Sequence, residues 1–346
     1  MNQTTLAEKL GLKSAQTVSA IENGEREVTS EELVHLGRIF KKEVDFFVDP
    51  TLLVGEGKFS WRATAEPETL DSYETNASRW IAAWREASRL QSKRCVPFSE
   101  SIPLDNRSLY EDAWEAAEEI VEEWQLGPYP AENLASQVEQ KLNILVLYVD
   151  TPHGISGAAC WIKEFGTILI DREEGEGRRN FDLAHELFHL LTWQAMPPSR
   201  IEQITMNPTR RSRVEALADN FAGALLMPRR SVQAAYAQRG DRTLPEWLVA
   251  TAPIFKVSVS ALYWRLVALG MVQNNCGAEI ERLPWKGESR KVQNLFSKKF
   301  VDLLYEAVEA GHMSLSYVGK LLGIGRDGLK DLFHSYGLDR EGIPSK

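Results

Sequence analysis

Along the first fifty residues, apolar side chains recur at helical spacing in three short runs. "TLAEKLGL" carries Leu6 and Leu10 and ends at Gly11; "SAQTVSAIENG" carries Val18 and Ile21 and closes at Gly24. "TSEELVHLGRIF" carries Leu33 and Leu36 behind Thr29 or Ser30 as N-cap, with glutamates just after. Helices this short bury a core only by crossing one another, so residues 1–54 predict a helix-turn-helix. The pattern then becomes mixed. Residues 55–105 contain a Trp-rich helical piece, "SRWIAAWREASRL", and a Pro/Ser stretch, "CVPFSESIPLDN", and read as a helical linker segment.

From Leu109 the pattern is regular again. A long acidic helix, "LYEDAWEAAEEIVEEWQLG", stops at Gly127 and Pro128, and its glutamates read as a solvated face. The helix "AENLASQVEQKL" leads into a strand, "ILVLYV", and "GAACWI" and "GTILID" form a hairpin through "KEFG". Two helices follow: "NFDLAHELFHLLTW", for which Asp182 serves as N-cap, and "RVEALADNFAGALLM", which Pro228 ends. Residues 106–230 therefore predict a compact α+β core. Residues 231–280, with "TAPIFKVSVSALYWRLVALGMV", look like a second small helix-turn-helix unit. Residues 285–346 form a C-terminal helical region with turns at Gly311 and Gly323. The whole is α+β and predominantly helical.

Composition narrows the function classes. A net charge of -9 means that bulk charge does not hold the 346-residue chain to nucleic acid, so any DNA contact needs a local patch. No window reaches the length of a membrane span, and "MNQTTLAEKL" lacks the apolar core of a signal peptide. Cys95, Cys160 and Cys276 are odd in number and in no CxxC pair, which predicts reduced thiols, a cytoplasmic protein and no thiolate metal site.

The chain holds six histidines, and two of them, His185 and His189, stand four apart on one helix. That spacing puts both imidazoles on one face, able to grip one cation. Glu186 lies a hundred degrees round from His185 and can reach a metal-bound water without being a ligand. The rival reading is an amphipathic helix that happens to carry two histidines. Catalytic zinc needs a third protein ligand. Glu215 and Asp219, also four apart, supply one: Glu215 as ligand, Asp219 as hydrogen-bond acceptor for the outer nitrogen of a ligand histidine. Taken alone, that pair is two solvent-facing acids; with HExxH upstream it reads as part of a metal site. His153, before Gly154, reads as a surface loop histidine rather than an oxyanion donor. Arg178 and Arg179 fit either a substrate contact or a solvated pair, and His35, His312 and His334 read as structural.

With "NFDLAHELFHLL" and "VEALADNFAGALLMPR" both present, the chain resembles the ImmA/IrrE family of metallopeptidases, often fused to an XRE-type helix-turn-helix. Glu215, Ala218, Asp219, Phe221, Ala222, Leu225, Leu226, Met227 and Pro228 fit the family's second helix. "GISGAACWIKEFGTILID" resembles its hairpin, and "KFSWRA" a segment preceding its core. Phe188 stands where many members have glycine, Asp171 where many have asparagine, and Asp182 where threonine or serine is usual. The resemblance implies a gluzincin-like core of a short sheet plus zinc helices, with Zn2+ as cofactor. It implies a metalloendopeptidase, a hydrolase that cuts a specific partner such as a cognate repressor in a stress-response or mobile-element/defence circuit.

"LAEKLGLKSAQTVSAIENGERE" is similar to the XRE pattern, with "SAQTVSAIENG" as recognition helix. Lys13, Gln16, Thr17 and Ser19 would lie near base edges of double-stranded DNA, and Asn23 and Arg26 near phosphate. Residues 1–50 nonetheless hold six Lys/Arg against nine Asp/Glu. A protein-contact or dimerisation role is thus the rival for this unit. The alternative for the whole chain is a non-proteolytic DNA-binding transcriptional regulator or an antitoxin-like partner-binding protein.

Overall fold

Short helices with explicit stop signals build the first of two compact units, Met1–Leu52 and Leu53–Lys346. The computed structural model describes residues 1–48, 53, 56–64, 66–91, 99–202, 212–274, 277–280 and 292–338. In the first unit, α1 (Gln3–Leu10) is capped by the Asn2 side chain and ends at Gly11, whose left-handed φ of 69° suits only glycine comfortably. α2 (Ala15–Glu22) and α3 (Ser30–Phe40) follow, and a four-residue α4 (Asp45–Val48) comes after them. Thr29 and Glu32 close a reciprocal capping box on α3. Ala7, Val18 and Leu36 are the buried apolar side chains of the three crossing helices. Leu6, Leu10, Ile21 and Leu33 are partly buried beside them.

The second unit is a five-stranded mixed sheet covered on both faces. Its elements begin with β1 (Lys58–Ala63), α5 (Pro67–Leu90), α6 (Tyr110–Glu123) and α7 (Leu134–Lys141). β2 (Leu145–Val149), β3 (Ile155–Trp161), β4 (Gly166–Asp171), α8 (Glu176–Thr192) and β5 (Ile201–Glu202) follow. Then come α9 (Arg213–Leu226), α10 (Arg229–Ala237), α11 (Leu244–Phe255), α12 (Val259–Ala268) and α13 (Gly277–Ile280). α14 (Lys298–Glu309), α15 (Leu315–Leu322) and α16 (Arg326–Ser335) end the chain's described elements.

Strand order is β2-β4-β3-β1-β5: the expected β3–β4 hairpin is antiparallel, β2 runs parallel to β4, and β1 pairs antiparallel with β3. Because side chains alternate along a strand, the sheet offers two apolar faces. Ile144, Val146, Ala159, Ile168 and Ile170 face α6, α8, α9, α11 and α12. Leu145, Leu147, Val149, Ala158, Cys160 and Leu169 face α5 and α14–α16. Cys160 is a buried free thiol, as expected; Cys95 and Cys276 lie outside the described residues.

Three expectations need correction. Residues 55–105, read as a linker, place β1 inside the sheet and α5 against its second face, where Gln91 Nε2 donates to Leu303 O at 2.7 Å and Trp80 Nε1 to Leu322 O at 3.3 Å. Likewise 231–280 and 285–346 are not separate bodies: they share the two cores with 106–230, because a sheet with two apolar faces needs cover on both. Part of the Pro/Ser stretch, residues 95–98, lies outside the described residues.

The third concerns Asp182, which is no N-cap: α8 begins six residues earlier, with Gly175 as its cap, and Asp182 is fully buried in the helix interior. Two arginines take up its carboxylate there. Among the described residues no single helix is long and apolar enough to cross a membrane. The apolar pair α11–α12 is bent by 104° and buries Trp247, Leu248, Phe255, Leu262 and Leu266 in the core.

Candidate metal centre

α8 and α9 lie side by side on one face of the sheet, and their facing sides carry the chemistry. His185 and His189, one turn apart on α8, are each 1% exposed, and their Nε2 atoms stand 3.1 Å apart. From α9, Glu215 brings Oε2 to 3.2 Å from His185 Nε2 and Oε1 to 3.0 Å from His189 Nε2. Ligand atoms of all three residues fall within 4.8 Å of one another. Nitrogens bound tetrahedrally at about 2.0–2.1 Å would be separated by roughly 3.3 Å, so the spacing suits one shared ion. Asp219, one turn on from Glu215, meets His185 Nδ1 at 2.8 Å through Oδ1. That contact fixes the tautomer that leaves Nε2 free to ligate.

Glu186 points from the same helix turn, 1% exposed, and its Oε1 has no hydrogen-bond partner. An orphaned buried carboxylate oxygen is costly unless a ligand or substrate meets it. Gly157 in β3 lies beside it: a Cβ there would touch Glu186 Oε1 at 3.7 Å, an ordinary contact, and press more tightly on Leu169 O at 3.1 Å. The role of Gly157 is absent from the motif reading, since nothing local to HExxH points to a strand residue.

Sequence reading also missed Arg62. It lies on β1, is 7% exposed, and donates from Nη1 to Asp182 Oδ1 at 2.8 Å; its Nη2 stands 3.8 Å from Asp219 Oδ1. Its signal was the alternation in "KFSWRA", where Phe59, Trp61 and Ala63 point to the opposite core. Arg178 Nε holds the other Asp182 oxygen at 2.9 Å, and Arg179 Nη1 donates to the Arg172 and Glu174 carbonyls. Both of these arginines thus serve the fold. His153 is exposed in the loop before β3, outside the cluster.

Counted as ionised, Asp182, Glu186, Glu215 and Asp219 face the guanidiniums of Arg62 and Arg178. Two negative charges are left over, which is the charge of one divalent cation. Among the side chains alone, protons take up the imbalance. Burial and the Arg62 charge lower His185, but Glu215 and Asp219 outweigh them and lift it to about 9. Burial pushes Glu186 up to about 8 and pushes His189 down. Glu215 stays well below the usual carboxylate range: burial alone would raise it, and the two imidazoles overcome that. Donor set, spacing and charge all fit a divalent metal ion.

Residues 139–267 match the family model described as an IrrE N-terminal-like domain of the M78 peptidases, and residues 1–47 match a helix-turn-helix model. The chain joins a helix-turn-helix unit to an IrrE-type peptidase domain. No curated protein matches it. His185, Glu186, His189, Glu215, Asp219 and Gly157 all lie within the matched IrrE-type segment; Arg62 and β1 lie outside it.

In the helix-turn-helix unit, Lys13 and Gln16 are exposed, Thr17, Ser19 and Arg26 are half-buried, and Asn23 caps α2. The Thr17 hydroxyl is 3.4 Å from that of Ser14. Arg26 places both terminal nitrogens on Glu32, at 3.2 and 2.8 Å, so its charge is already matched within the unit.

Proposed function

We propose that the chain is a zinc-dependent endopeptidase that cuts a specific protein partner, such as a cognate repressor, within a regulatory circuit. The observation that carries this reading is the convergence of His185, His189 and Glu215 beside the Glu186 carboxylate, whose Oε1 has no hydrogen-bond partner. Zinc held by those three side chains would supply an acidified water and a Lewis acid for the scissile carbonyl. Glu186 takes the proton of the attacking water and delivers it to the leaving nitrogen as the C–N bond breaks, giving a carboxylate and an amine. Asp219 keeps the His185 ring in its ligating tautomer.

The test uses Glu186→Gln. Purified wild type and variant should carry equal zinc. Added to a lysate of the source cells, wild type should generate new N-termini on one or a few proteins and the variant none. New N-termini persisting with Glu186→Gln would overturn the role of Glu186.

The helix-turn-helix match favours a second reading for unit 1, binding of double-stranded DNA by α2 through Lys13, Gln16, Thr17 and Ser19, with Arg26 near phosphate. A mobility shift on DNA from upstream of its own gene, weakening as salt rises, is the expected result. Absence of any shift at low salt would leave unit 1 as a protein-contact module of a partner-binding regulator.

A further inference from the structure

Arg62 makes contacts that a simple buried ion pair does not require. Its backbone is held on both sides, opposite Gly157 in β3 and Glu202 in β5, and its carbonyl accepts from Ser156 Oγ at 3.4 Å. The side chain leaves the sheet on the face that α8 and α9 cover. One terminal nitrogen binds Asp182 on α8, three residues before His185. The other stands 3.8 Å from Oδ1 of Asp219 on α9, the oxygen that meets His185 Nδ1. The guanidinium therefore lies between the two metal-site helices, at the level of His185. A buried guanidinium is strongly unfavourable without anionic partners, and here the partners come from both helices.

We propose that Arg62 is a positioning residue of the metal centre: it clamps Asp182 of α8 and Asp219 of α9, and so fixes the ring of His185 through the Asp219 contact. This inference rests on the reading of His185, His189 and Glu215 as metal ligands. Asp182 is the fixed half of the clamp, fully buried and gripped a second time by Arg178. Asp219 is the half that matters to the metal, because its position sets where His185 Nε2 points. A guanidinium suits the task because its planar fork presents separate nitrogens to separate acceptors, whereas an ammonium is a single point of charge. The inference also assigns a metal-site role to a residue outside the IrrE-type segment, contributed by a strand more than 90 residues upstream of the closest matched site residue in sequence, Gly157.

The experiment measures zinc affinity of the full chain by competition with a chromophoric chelator, for wild type, Arg62→Met, Arg62→Lys and Glu186→Gln. Loss of the outer partner of a ligand histidine lowers metal affinity by roughly 10–100-fold, and Arg62→Met, which acts through that partner, should lower it toward the smaller end of that range, about 10-fold. Arg62→Lys, which can satisfy Asp182 but not span to Asp219, should land between wild type and Arg62→Met. Glu186→Gln, which removes no ligand and leaves the clamp intact, serves as the neighbouring control. The visible spectrum of the cobalt(II)-loaded protein gives a readout independent of activity. Its bands should shift in Arg62→Met as the His185 ring reorients. A fold-only role would lower the unfolding midpoint while leaving zinc affinity and the cobalt spectrum unchanged. That outcome, in either Arg62→Met or the milder Arg62→Lys, would overturn the inference and leave the metal centre standing. Failure of wild type to take up zinc or cobalt would overturn both.

Discussion

Gly177 in the first turn of α8 has no room for a side chain. A Cβ there would sit 2.6 Å from the Val257 carbonyl carbon, 2.8 Å from Ser258 N and 3.0 Å from Val257 Cα. Favourable carbon–carbon contact lies at about 3.5–4.0 Å, so the overlap in Gly177→Ala is about 1 Å. It falls on backbone, which cannot rotate aside as a side-chain tip can. Overpacking of this size costs about 1–3 kcal/mol. Alanine recovers at most about 1 kcal/mol of helix propensity, and less in a first turn. The expected net loss is about 1–2 kcal/mol, felt where α8 meets the turn between α11 and α12. Every tryptophan of the chain lies after residue 52, so tryptophan fluorescence in urea reports the second unit alone. With a slope of about 2–3 kcal/mol/M, the midpoint should fall by roughly half a molar. Zinc uptake should persist, because His185 lies eight residues further on, about 12 Å along the helix. A variant as stable as wild type would refute the close approach of α8 to residues 257–258.

Phe188, fully buried with its ring 5.5 Å from that of Phe221, fills the core beneath the metal centre. Phe188→Ala should cost about 3–5 kcal/mol in the same urea experiment, and a loss under about 1 kcal/mol would contradict that role. Glu32 is held down to about 2 by the Arg26 hydrogen bonds and then by the Thr29 amide, against an ordinary 4.5. Its contribution to unit 1 is therefore present above pH 4.5 and drains away as pH falls toward 2. Amide NMR signals of residues 3–40, followed in the full chain from pH 6 to pH 3, should show that loss in wild type and a flatter response in Glu32→Gln. Excess zinc at a thousandfold over Kd should stabilise wild type by about 4 kcal/mol, reversed by chelator. Glu215→Gln should lose most of that shift, and an undiminished shift would remove Glu215 from the ligand set.

The parts of the molecule legible in the sequence are those whose signal is local. His185, Glu186 and His189 share one turn of helix, and Glu215 and Asp219 share another, so spacing alone places each group on a face. What spacing does not contain is the approach of one element to another. β1 was obscured because its partners are residues 155–161 and 201–202, far along the chain, although its two-residue alternation was visible. The start of α8 was obscured for a related reason. "EEGEGRRN" has the glycines of a loop, yet Gly177 is helical and is needed for contact with Val257, a constraint that appears only in three dimensions. Asp182 then resembled a cap, when its real partners are Arg62 and Arg178.

The sheet order has a consequence for how the chain is made. The helix-turn-helix unit forms its contacts within the first 52 residues, ahead of every strand of the sheet. β1 comes off the ribosome next, but its partner β3 follows about 100 residues later, a wait of about 5–20 s at 5–20 residues per second. Through that interval α5, which follows directly, can cover Trp61 through Tyr73 and Glu74, but the amides of β1 that pair with β3 have no sheet partner. Nascent chains of this protein therefore pass through a stage in which β1 can have its helix but not its sheet neighbour, and that unpaired strand edge is where a holding chaperone would bind and where premature termination would leave a sticky end.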